Sequence, residues 1–349
     1  MLPQRNTTTM ASTVLTGIKP TGTPHLGNFV GAIKPALALA GTASTALYFV
    51  ADYHALNSIH DAQKLRGLVH EVAATWLALG LDPEKVIFYR QSEVPEILEL
   101  TWILSCFTAK GLMNRAHAYK AAVAKNMESR ASSAATAEDM DDLDAGINMG
   151  LYNYPVLMAA DILLFKTNVV PVGKDQVQHI EIARDIAQRF NAIYGPVLVL
   201  PEARIDAHTA VIPGLDGRKM SKSYDNTIPL FLPPEKLRKT IFKYKTDSSP
   251  PSEPKDPDTS PLFHLYREFA TPEETEALRG RYRSGIGWGE AKEAVFEVLN
   301  RALEEPRRRY AELMADTARV DALLAQGAAR ARQIASATIQ ETRKAVGIR

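Results

Sequence analysis

The spacing of apolar residues along the chain follows two alternating patterns. Short apolar runs at residues 14–17, 46–50 and 86–89 predict buried β-strands. Apolar residues at helical spacing over residues 29–39 and 62–79 predict α-helices between them. Because strand and helix patterns alternate, the sequence predicts an α/β fold with a parallel sheet.

The same alternation continues further along the chain and then stops. Residues 168–173 predict another strand and residues 175–190 another helix. Residues 127–144 are small, polar and acidic with no apolar period, so we expect a mobile surface loop there. Residues 246–261 contain five prolines and predict a stiff linker. The pattern after this linker is helical to the end of the chain.

Composition narrows the class of protein. The 41 Lys and Arg against 40 Asp and Glu leave a net charge of +1, so any contact with nucleic acid must use local basic patches. Cys106 alone excludes an internal disulfide, and no Cys/His cluster has zinc-site spacing, which fits a reducing cytoplasm. The first dozen residues are too polar for a signal peptide, and the longest apolar stretch, ten residues at 156–165, is too short for a bilayer. We therefore expect a cytoplasmic protein without a membrane segment.

The first segment with candidate chemistry is residues 16–28. A strand end, a turn rich in Gly and Pro, and a helix start together expose backbone N–H groups that can bind phosphate. His25 and Asn28 would add side-chain donors to phosphate oxygens, and Gly27 would let a nucleotide approach the backbone. The alternative is an ordinary loop histidine and turn glycine.

The second segment is a cationic loop with interleaved hydroxyls at residues 217–226. Lys219 and Lys222 would neutralise the charge that develops on pyrophosphate as it leaves ATP, late in the reaction step where this accelerates it. The alternative is a solvated basic loop. In this order, the strings at residues 24–28 and 219–223 resemble the paired signature of class I aminoacyl-tRNA synthetases.

Within that class, the residues between the two signature strings indicate a particular family. Over about residues 12–349 the chain resembles the bacterial tryptophanyl-tRNA synthetases, and the matching segments are residues 16–22, 51–55, 154–163 and 170–176. The resemblance implies a Rossmann-type doubly wound parallel sheet, a smaller C-terminal all-helical domain that recognises the anticodon, and a homodimer that binds tRNA across both subunits.

The resemblance also implies the domain limits and the reaction. We predict a flexible lead over residues 1–11, a catalytic domain over residues 12–228 and a helical domain over residues 229–349, whose last helix packs back on the catalytic domain. The implied activity joins tryptophan to tRNA(Trp) with ATP, whose Mg²⁺ arrives with the nucleotide; no protein-bound metal or zinc is expected. A tyrosyl-type synthetase and a non-catalytic paralogue that binds nucleotide or tryptophan are the alternatives.

The tryptophan pocket is predicted on one helix face. Tyr154, Met158 and Asp161 lie at i, i+4 and i+7, and a carboxylate in this apolar segment needs a hydrogen-bond donor. In the family that donor is the indole N–H, with Met158 against the ring; the alternative makes Asp161 a helix cap or an ion-pair partner in the core. Tyrosyl enzymes typically have glutamine where this chain has Met158, which favours tryptophan.

The resemblance assigns further contacts. The implied ATP-binding residues are Lys19, Thr21, Gly27, Gly173, Asp175, Gln176, Met220, Ser221 and Ser223. The implied tryptophan-binding residues are Gly17, His54, Tyr154, Met158, Asp161 and Gln176. Alternatively, Asp175 is only the N-cap of the next helix, and His54 a polar residue at a strand end.

Two positions depart from the common bacterial pattern. Most relatives have glutamine where this chain has Lys19, which places a fixed positive charge beside the nucleotide site. At Ala118 the usual glutamine contact to the substrate amine is missing, and His117 is either its replacement or a surface residue. We therefore expect a divergent subtype.

Overall fold

A five-stranded parallel sheet forms the centre of the protein. The computed structural model describes residues 12–131, 143–173, 176–205 and 212–348. Within these residues the strands are β1 (Thr13–Ile18), β2 (Thr45–Val50), β3 (Ile87–Arg90), β4 (Val169–Pro171) and β5 (Glu202–Arg204), and their order across the sheet is β3-β2-β1-β4-β5. This order is that of a doubly wound sheet, and the predicted fold class is confirmed.

The order of the strands determines where a ligand can bind. The chain runs outward from β1 to β3 on one side and then returns to place β4 on the other side of β1, where Val14 pairs with Val169. Ligands of such sheets bind outside the carboxyl ends of the strands at this reversal point. The turns after β1 and β4, which contain the predicted nucleotide-binding residues, both begin there.

Helices surround the sheet and form the C-terminal part of the protein. In the described segments they are α1 (Leu26–Asn28), α2 (Lys34–Ala40), α3 (Asp52–Ala55), α4 (Ala62–Ala78), α5 (Glu96–Phe107), α6 (Lys110–Met113), α7 (His117–Ala131), α8 (Met149–Leu163), α9 (Val177–Tyr194), α10 (Pro234–Ile241), α11 (Pro261–Arg267), α12 (Pro272–Ser284), α13 (Trp288–Ala315) and α14 (Thr317–Val346). A π-helical turn, Phe29–Ile33, joins α1 to α2, and short 3₁₀ turns occupy Gln91–Glu93 and Lys222–Tyr224.

The hydrophobic core crosses the predicted limit at residue 228. One buried cluster joins Leu26 and Met220 to Leu237 and Leu299. The C-terminal helix α14 lies along the outer strand β3 and packs into the clusters on both faces of the sheet, with Leu324 on one face and Ala331 on the other. The helical region is therefore joined to the sheet by continuous packing, and the domain limits stay a prediction.

The predicted loop at residues 127–144 begins later than expected. Helix α7 continues to Ala131, because the Ala, Lys, Met and Glu residues of this stretch favour a helix even without an apolar period. The loop prediction is therefore wrong for residues 127–131. Residues 132–142 and the predicted lead at residues 1–11 lie outside the described residues.

Candidate functional site

The helix that follows β1 begins with a reciprocal cap. His25 is buried, and its Nδ1 accepts a hydrogen bond from the backbone N–H of Asn28 at 3.3 Å. Asn28 Oδ1 accepts one from the backbone N–H of His25 at 3.1 Å. The two side chains thus fix the start of α1.

The cap also determines the state of His25. Burial, together with the nearby charge of Lys222, lowers the pKa of His25 from 6.5 to about 4, so the imidazole is neutral near pH 7. Because Nδ1 accepts a hydrogen bond, the proton of the neutral ring is on Nε2. His25 can therefore donate one hydrogen bond from Nε2 without carrying a charge.

The two signature segments contact each other directly. The backbone N–H of Gly27 donates to Met220 Sδ at 3.3 Å across 193 positions of sequence. The backbone N–H of Leu26 donates to the carbonyl of Ile228 at 2.9 Å, which joins the start of α1 to the chain that follows the cationic loop. A Cβ on Gly27 would meet the His25 ring at 3.0 Å, so glycine permits this close contact.

Lys222 of the cationic loop lies over the turn that follows β1. Its Nζ is 2.7 Å from the position that a Cβ on Gly22 would occupy, and Gly22 has a φ of +145°, which favours glycine. Partial burial lowers the pKa of Lys222, although Glu71 opposes this effect, and burial also lowers the pKa of Lys19. The ammonium of Lys222 thus meets the turn that precedes α1.

Asn226 holds the cationic loop in shape. Its buried amide Nδ2 donates to Asp216 Oδ1 at 2.7 Å and to the carbonyl of Lys219 at 3.1 Å, and its Oδ1 accepts from the backbone N–H of Ser221 at 2.8 Å. The hydrogen bond from Asn226, followed by that from Arg218, lowers the pKa of Asp216 to about 2. These bonds fix the backbone on both sides of Met220.

The carboxylate of Asp161 is fully buried and has donors within the protein. Gln91 Nε2 lies 2.8 Å from Oδ1 and 2.9 Å from Oδ2, and His54 Nε2 lies 3.0 Å from Oδ2. Burial raises the pKa of Asp161, while His54 and Gln91 act in the opposite direction. The two oxygens of a carboxylate accept about four hydrogen bonds, so Asp161 can accept one more.

A second polar chain begins at Tyr154. Its hydroxyl contacts His179 Nε2, and His179 Nδ1 lies 2.8 Å from Gln176 Oε1. Since an amide oxygen only accepts, Nδ1 carries the proton and Nε2 accepts from the tyrosine hydroxyl. His179 is buried between these predicted contact residues and orients both of them.

The remaining predicted tryptophan residues lie around the same space. Met158 is half-buried and packs on the main core cluster beside Asp161. Gly17 pairs with Phe49, whose ring atom Cζ would be 2.6 Å from a Cβ at residue 17, so a side chain cannot be accommodated there. The His54 and Tyr154 rings are 6.2 Å apart at a steep angle.

The other predicted nucleotide residues lie at the turns around this edge of the sheet. Thr21 follows Lys19 in the exposed turn after β1, and Ser221 caps the short turn that contains Ser223. Gly173 follows β4 and accepts from the backbone N–H of Gln176 at 3.0 Å. Asp175 lies outside the described residues. His117 is exposed at the start of α7, and its backbone N–H donates to Gln178.

A cavity of about 360 Å³ lies beside the middle of β1 and the carboxyl ends of β4 and β5. Its lining is mostly apolar and includes Thr16, Gly31, Pro35, Gly173 and Arg204. The π-helical turn that follows α1 contributes Gly31, so the cavity adjoins the capped helix start. Its volume is within the range of cavities that hold small ligands.

The described residues include neither a metal-binding cluster nor a helix that could span a membrane. No group of three or more His, Cys, Asp or Glu side chains in this part of the chain could hold a metal ion. None of the described helices is both long enough and apolar enough to cross a membrane.

Comparisons with known proteins agree with this geometry. Residues 7–304 match the family model described as tRNA synthetases class I (W and Y). This chain belongs to that synthetase family. The tryptophan--tRNA ligase of Pseudomonas aeruginosa is 54% identical over 97% of this chain and 75% of that protein, and that of Neisseria meningitidis is 51% identical over 96% and 98%.

A solved structure extends the comparison to three dimensions. The tryptophanyl-tRNA synthetase of Campylobacter jejuni, solved with ADP and tryptophan, is 42% identical and superimposes with a TM-score of 0.85 over 96% of this chain and 99% of that one. The synthetase family therefore accounts for both the sheet order and the helical C-terminal region.

Three residues of this synthetase site were missed at the sequence level. Gln91 directly follows a buried strand, at the edge of the sheet where ligands bind, and this position could have indicated a role in ligand binding. His179 is three residues after Gln176 on a helix, so the sequence spacing could have predicted that the two side chains are close. Asn226 gave no signal of this kind, because its partners are mostly backbone atoms.

Proposed function

We propose that this chain is a tryptophan--tRNA ligase. The observation that carries the proposal is the direct contact of the two signature segments, from Gly27 N–H to Met220 Sδ, at the same sheet edge as the buried Asp161 carboxylate. The curated relatives with this name, at 51–54% identity over nearly the whole chain, support it.

The reaction has two steps. The carboxylate oxygen of tryptophan attacks the α-phosphorus of ATP, and the bond to the bridging oxygen of the β-phosphate breaks, which gives tryptophanyl-adenylate and Mg²⁺-pyrophosphate. A hydroxyl of the terminal ribose of tRNA then attacks the carbonyl carbon, and AMP leaves. Neither step needs a covalent bond to the protein, so catalysis rests on position and charge.

The capped helix start and the cationic loop provide the phosphate contacts of this proposal. His25 donates from Nε2 as a neutral group, and the side-chain amide N–H of Asn28 donates to the same anion. Lys219 and Lys222 neutralise the charge that grows on the leaving pyrophosphate. Lys222 Nζ lies over Gly22 and is therefore beside the turn that would hold the triphosphate.

The adenosine part of ATP is assigned to the cavity beside β1 and β4. Its mostly apolar lining suits a flat base, and Gly31 and Gly173 allow the base to approach the backbone. Asp175, Gln176, Thr21, Met220, Ser221 and Ser223 complete the proposed set of nucleotide contacts. The magnesium ion enters as part of the substrate.

Tryptophan is assigned to the space around Asp161. The indole N–H donates to the carboxylate, which can accept one further hydrogen bond, and Met158 packs against the ring. Tyr154 and Gln176, oriented by His179, hold the ammonium group. An amino acid without the ring N–H would leave Asp161 with an unused acceptor in a buried site, which is penalised.

The proposed partners are tRNA(Trp) and a second copy of the chain. Helix α5 exposes Leu98 and Trp102, with Trp102 73% exposed, at i and i+4 on one face. The same helix packs against α8, which carries Tyr154, Met158 and Asp161. Contact between copies through this face would therefore support the tryptophan pocket.

Sedimentation tests the dimer. Trp102→Glu should shift the wild-type dimer to a monomer, because it buries a charge in an apolar interface. Ile193→Glu, at another exposed apolar position, 53% exposed on α9, should leave the dimer intact. A monomeric wild type, or a dimer that Trp102→Glu leaves unchanged, would exclude this interface.

Two assays on the full-length protein test the activity. ATP–pyrophosphate exchange should depend on tryptophan and not on tyrosine, and the protein should then form tryptophanyl-tRNA. Exchange with tyrosine alone would identify a tyrosyl enzyme. Exchange without formation of aminoacyl-tRNA would indicate a nucleotide- and tryptophan-binding paralogue.

A further inference from the structure

Gln91 occupies a position next to the proposed tryptophan pocket that none of the site predictions includes. It is the first residue after β3 and is fully buried. Its Nε2 lies within hydrogen-bond distance of both oxygens of Asp161, at 2.8 and 2.9 Å. One amide group thus contacts the entire carboxylate.

The orientation of this amide affects which protonation state of Asp161 is favoured. With Nε2 toward the carboxylate, Gln91 Oε1 is buried without a hydrogen-bond partner among the described residues. The opposite orientation would place a carbonyl oxygen against an ionised carboxylate, which repels it. An unused buried oxygen is unfavourable, so the contact with Asp161 must outweigh it. The contact from Gln91 Nε2 favours the ionised form of Asp161 and so opposes the rise in pKa that burial causes.

Neighbouring residues leave Gln91 little freedom. Arg90, one position earlier, forms an ion pair with Asp321 on α14. Ser92, one position later, donates its backbone N–H to Asp52 Oδ1 at 3.0 Å. The end of β3 is therefore held from two sides, and the amide of Gln91 is fixed relative to α8.

The number of contacts on Asp161 leaves a place for a substrate donor. His54 and Gln91 both contact Oδ2, whereas the contact from Gln91 is the only one to Oδ1 among the described residues. A carboxylate oxygen accepts about two hydrogen bonds, so Oδ1 can accept one more. An N–H group on an aromatic ring is a donor of the right kind for this buried oxygen.

We propose that Gln91 is a positioning residue for amino-acid selection: it holds Asp161 ionised and oriented so that the free acceptor on Oδ1 meets the ring N–H of the substrate. This inference rests on the proposed function, because it assumes that tryptophan is the amino acid. Gln91 acts through Asp161 and does not itself contact the substrate.

The test compares tryptophan with its benzothiophene analogue, in which sulfur replaces the ring N–H. ATP–pyrophosphate exchange gives kcat/KM for each amino acid, and their ratio measures recognition of the N–H. In Gln91→Met, which keeps the side-chain length but removes the amide, the ratio should fall on the order of 10- to 100-fold. The loss should be in the KM for tryptophan, while the KM for ATP and the kcat/KM for the analogue stay close to wild type.

A second variant and a control distinguish recognition from damage to the fold. Gln91→Glu keeps the shape but places a second carboxylate against Asp161, so the ratio should fall further than in Gln91→Met. Gln188→Met, the same exchange at an exposed position of α9, should leave the ratio unchanged. If one Gln91 variant does not fold, the other still tests whether Gln91 is needed for recognition of the ring N–H.

The outcomes separate the two proposals. If both Gln91 variants lower kcat/KM equally for tryptophan and for the analogue, or leave the ratio unchanged, Gln91 has only a structural role and the inference is wrong. If the wild-type protein shows no exchange with tryptophan at all, the proposed function fails instead.

Discussion

The contact of α14 with β3 makes a sharp prediction about Gly327. A Cβ at this position would lie 1.7 Å from the carbonyl oxygen of Phe88 and 2.5 Å from its carbon. Carbon and oxygen atoms normally approach to about 3.3 Å, so α14 would have to move by roughly 1.6 Å. The obstacle is backbone, which cannot rotate away as a side chain can.

The free energy of unfolding of Gly327→Ala should therefore decrease. Overpacking of a tight core contact costs about 1–3 kcal/mol, and this contact is at the severe end. Alanine in a helix interior returns about 1 kcal/mol relative to glycine. We expect a net loss of about 2 kcal/mol, measured as a lower midpoint in urea unfolding followed by tryptophan fluorescence.

A matched control uses the same exchange on another helix. Gly67 on α4 has no atom within 4 Å of the place where its Cβ would be, so Gly67→Ala should stabilise the protein by about 0.5–1 kcal/mol. If Gly327→Ala is as stable as wild type, or is stabilised like the control, α14 does not approach β3 this closely.

Three further changes test the site. Asn226→Ala should lower the kcat of ATP–pyrophosphate exchange by about tenfold or more, because the backbone beside Met220 loses its hydrogen bonds. Tryptophan binding, measured by equilibrium dialysis, should not change. An unchanged kcat would contradict this role of Asn226. The pKa of His25 is about 4 in the folded protein and 6.5 for an unperturbed histidine, so the unfolded protein binds the proton more readily. The free energy of unfolding should therefore decrease by on the order of 3 kcal/mol as the pH falls from 6.5 to 4. His25→Asn should flatten that part of the stability–pH curve, and an equally steep curve would show that His25 is not the cause. Lys19→Gln should raise the KM for ATP roughly tenfold if Lys19 contacts phosphate, and an unchanged KM and Mg²⁺ dependence would exclude the contact.

Much of the sheet was predictable because its strands are short apolar runs between turns. The predicted run at residues 46–50 differs from Thr45–Val50 by one residue at one end, and the predicted run at residues 86–89 is shifted by one residue from Ile87–Arg90. Helix α4 was predicted to within one residue, since its apolar residues recur at helical spacing. Local pattern determines these elements, so local reasoning finds them.

The part that could not be predicted depends on contacts between distant segments. The spacing of Tyr154, Met158 and Asp161 places them on one helix face, but it does not reveal that Gln91, 70 positions away from Asp161, supplies the hydrogen bond. Likewise, the sequence predicts that the last helix packs back on the catalytic domain, but it does not reveal that α14 lies along β3. Only the topology brings these residues together.

The position of α14 has a consequence for the synthesis of this protein on the ribosome. In the part of the chain that the structure describes, strand β3 pairs only with β2, and its outer edge is covered by α14. Until α14 emerges, the nascent chain carries a sheet edge that can pair with another chain. The outer edge of the sheet is therefore covered only after α14 has emerged, and a chain truncated before α14 should aggregate rather than form a smaller active enzyme.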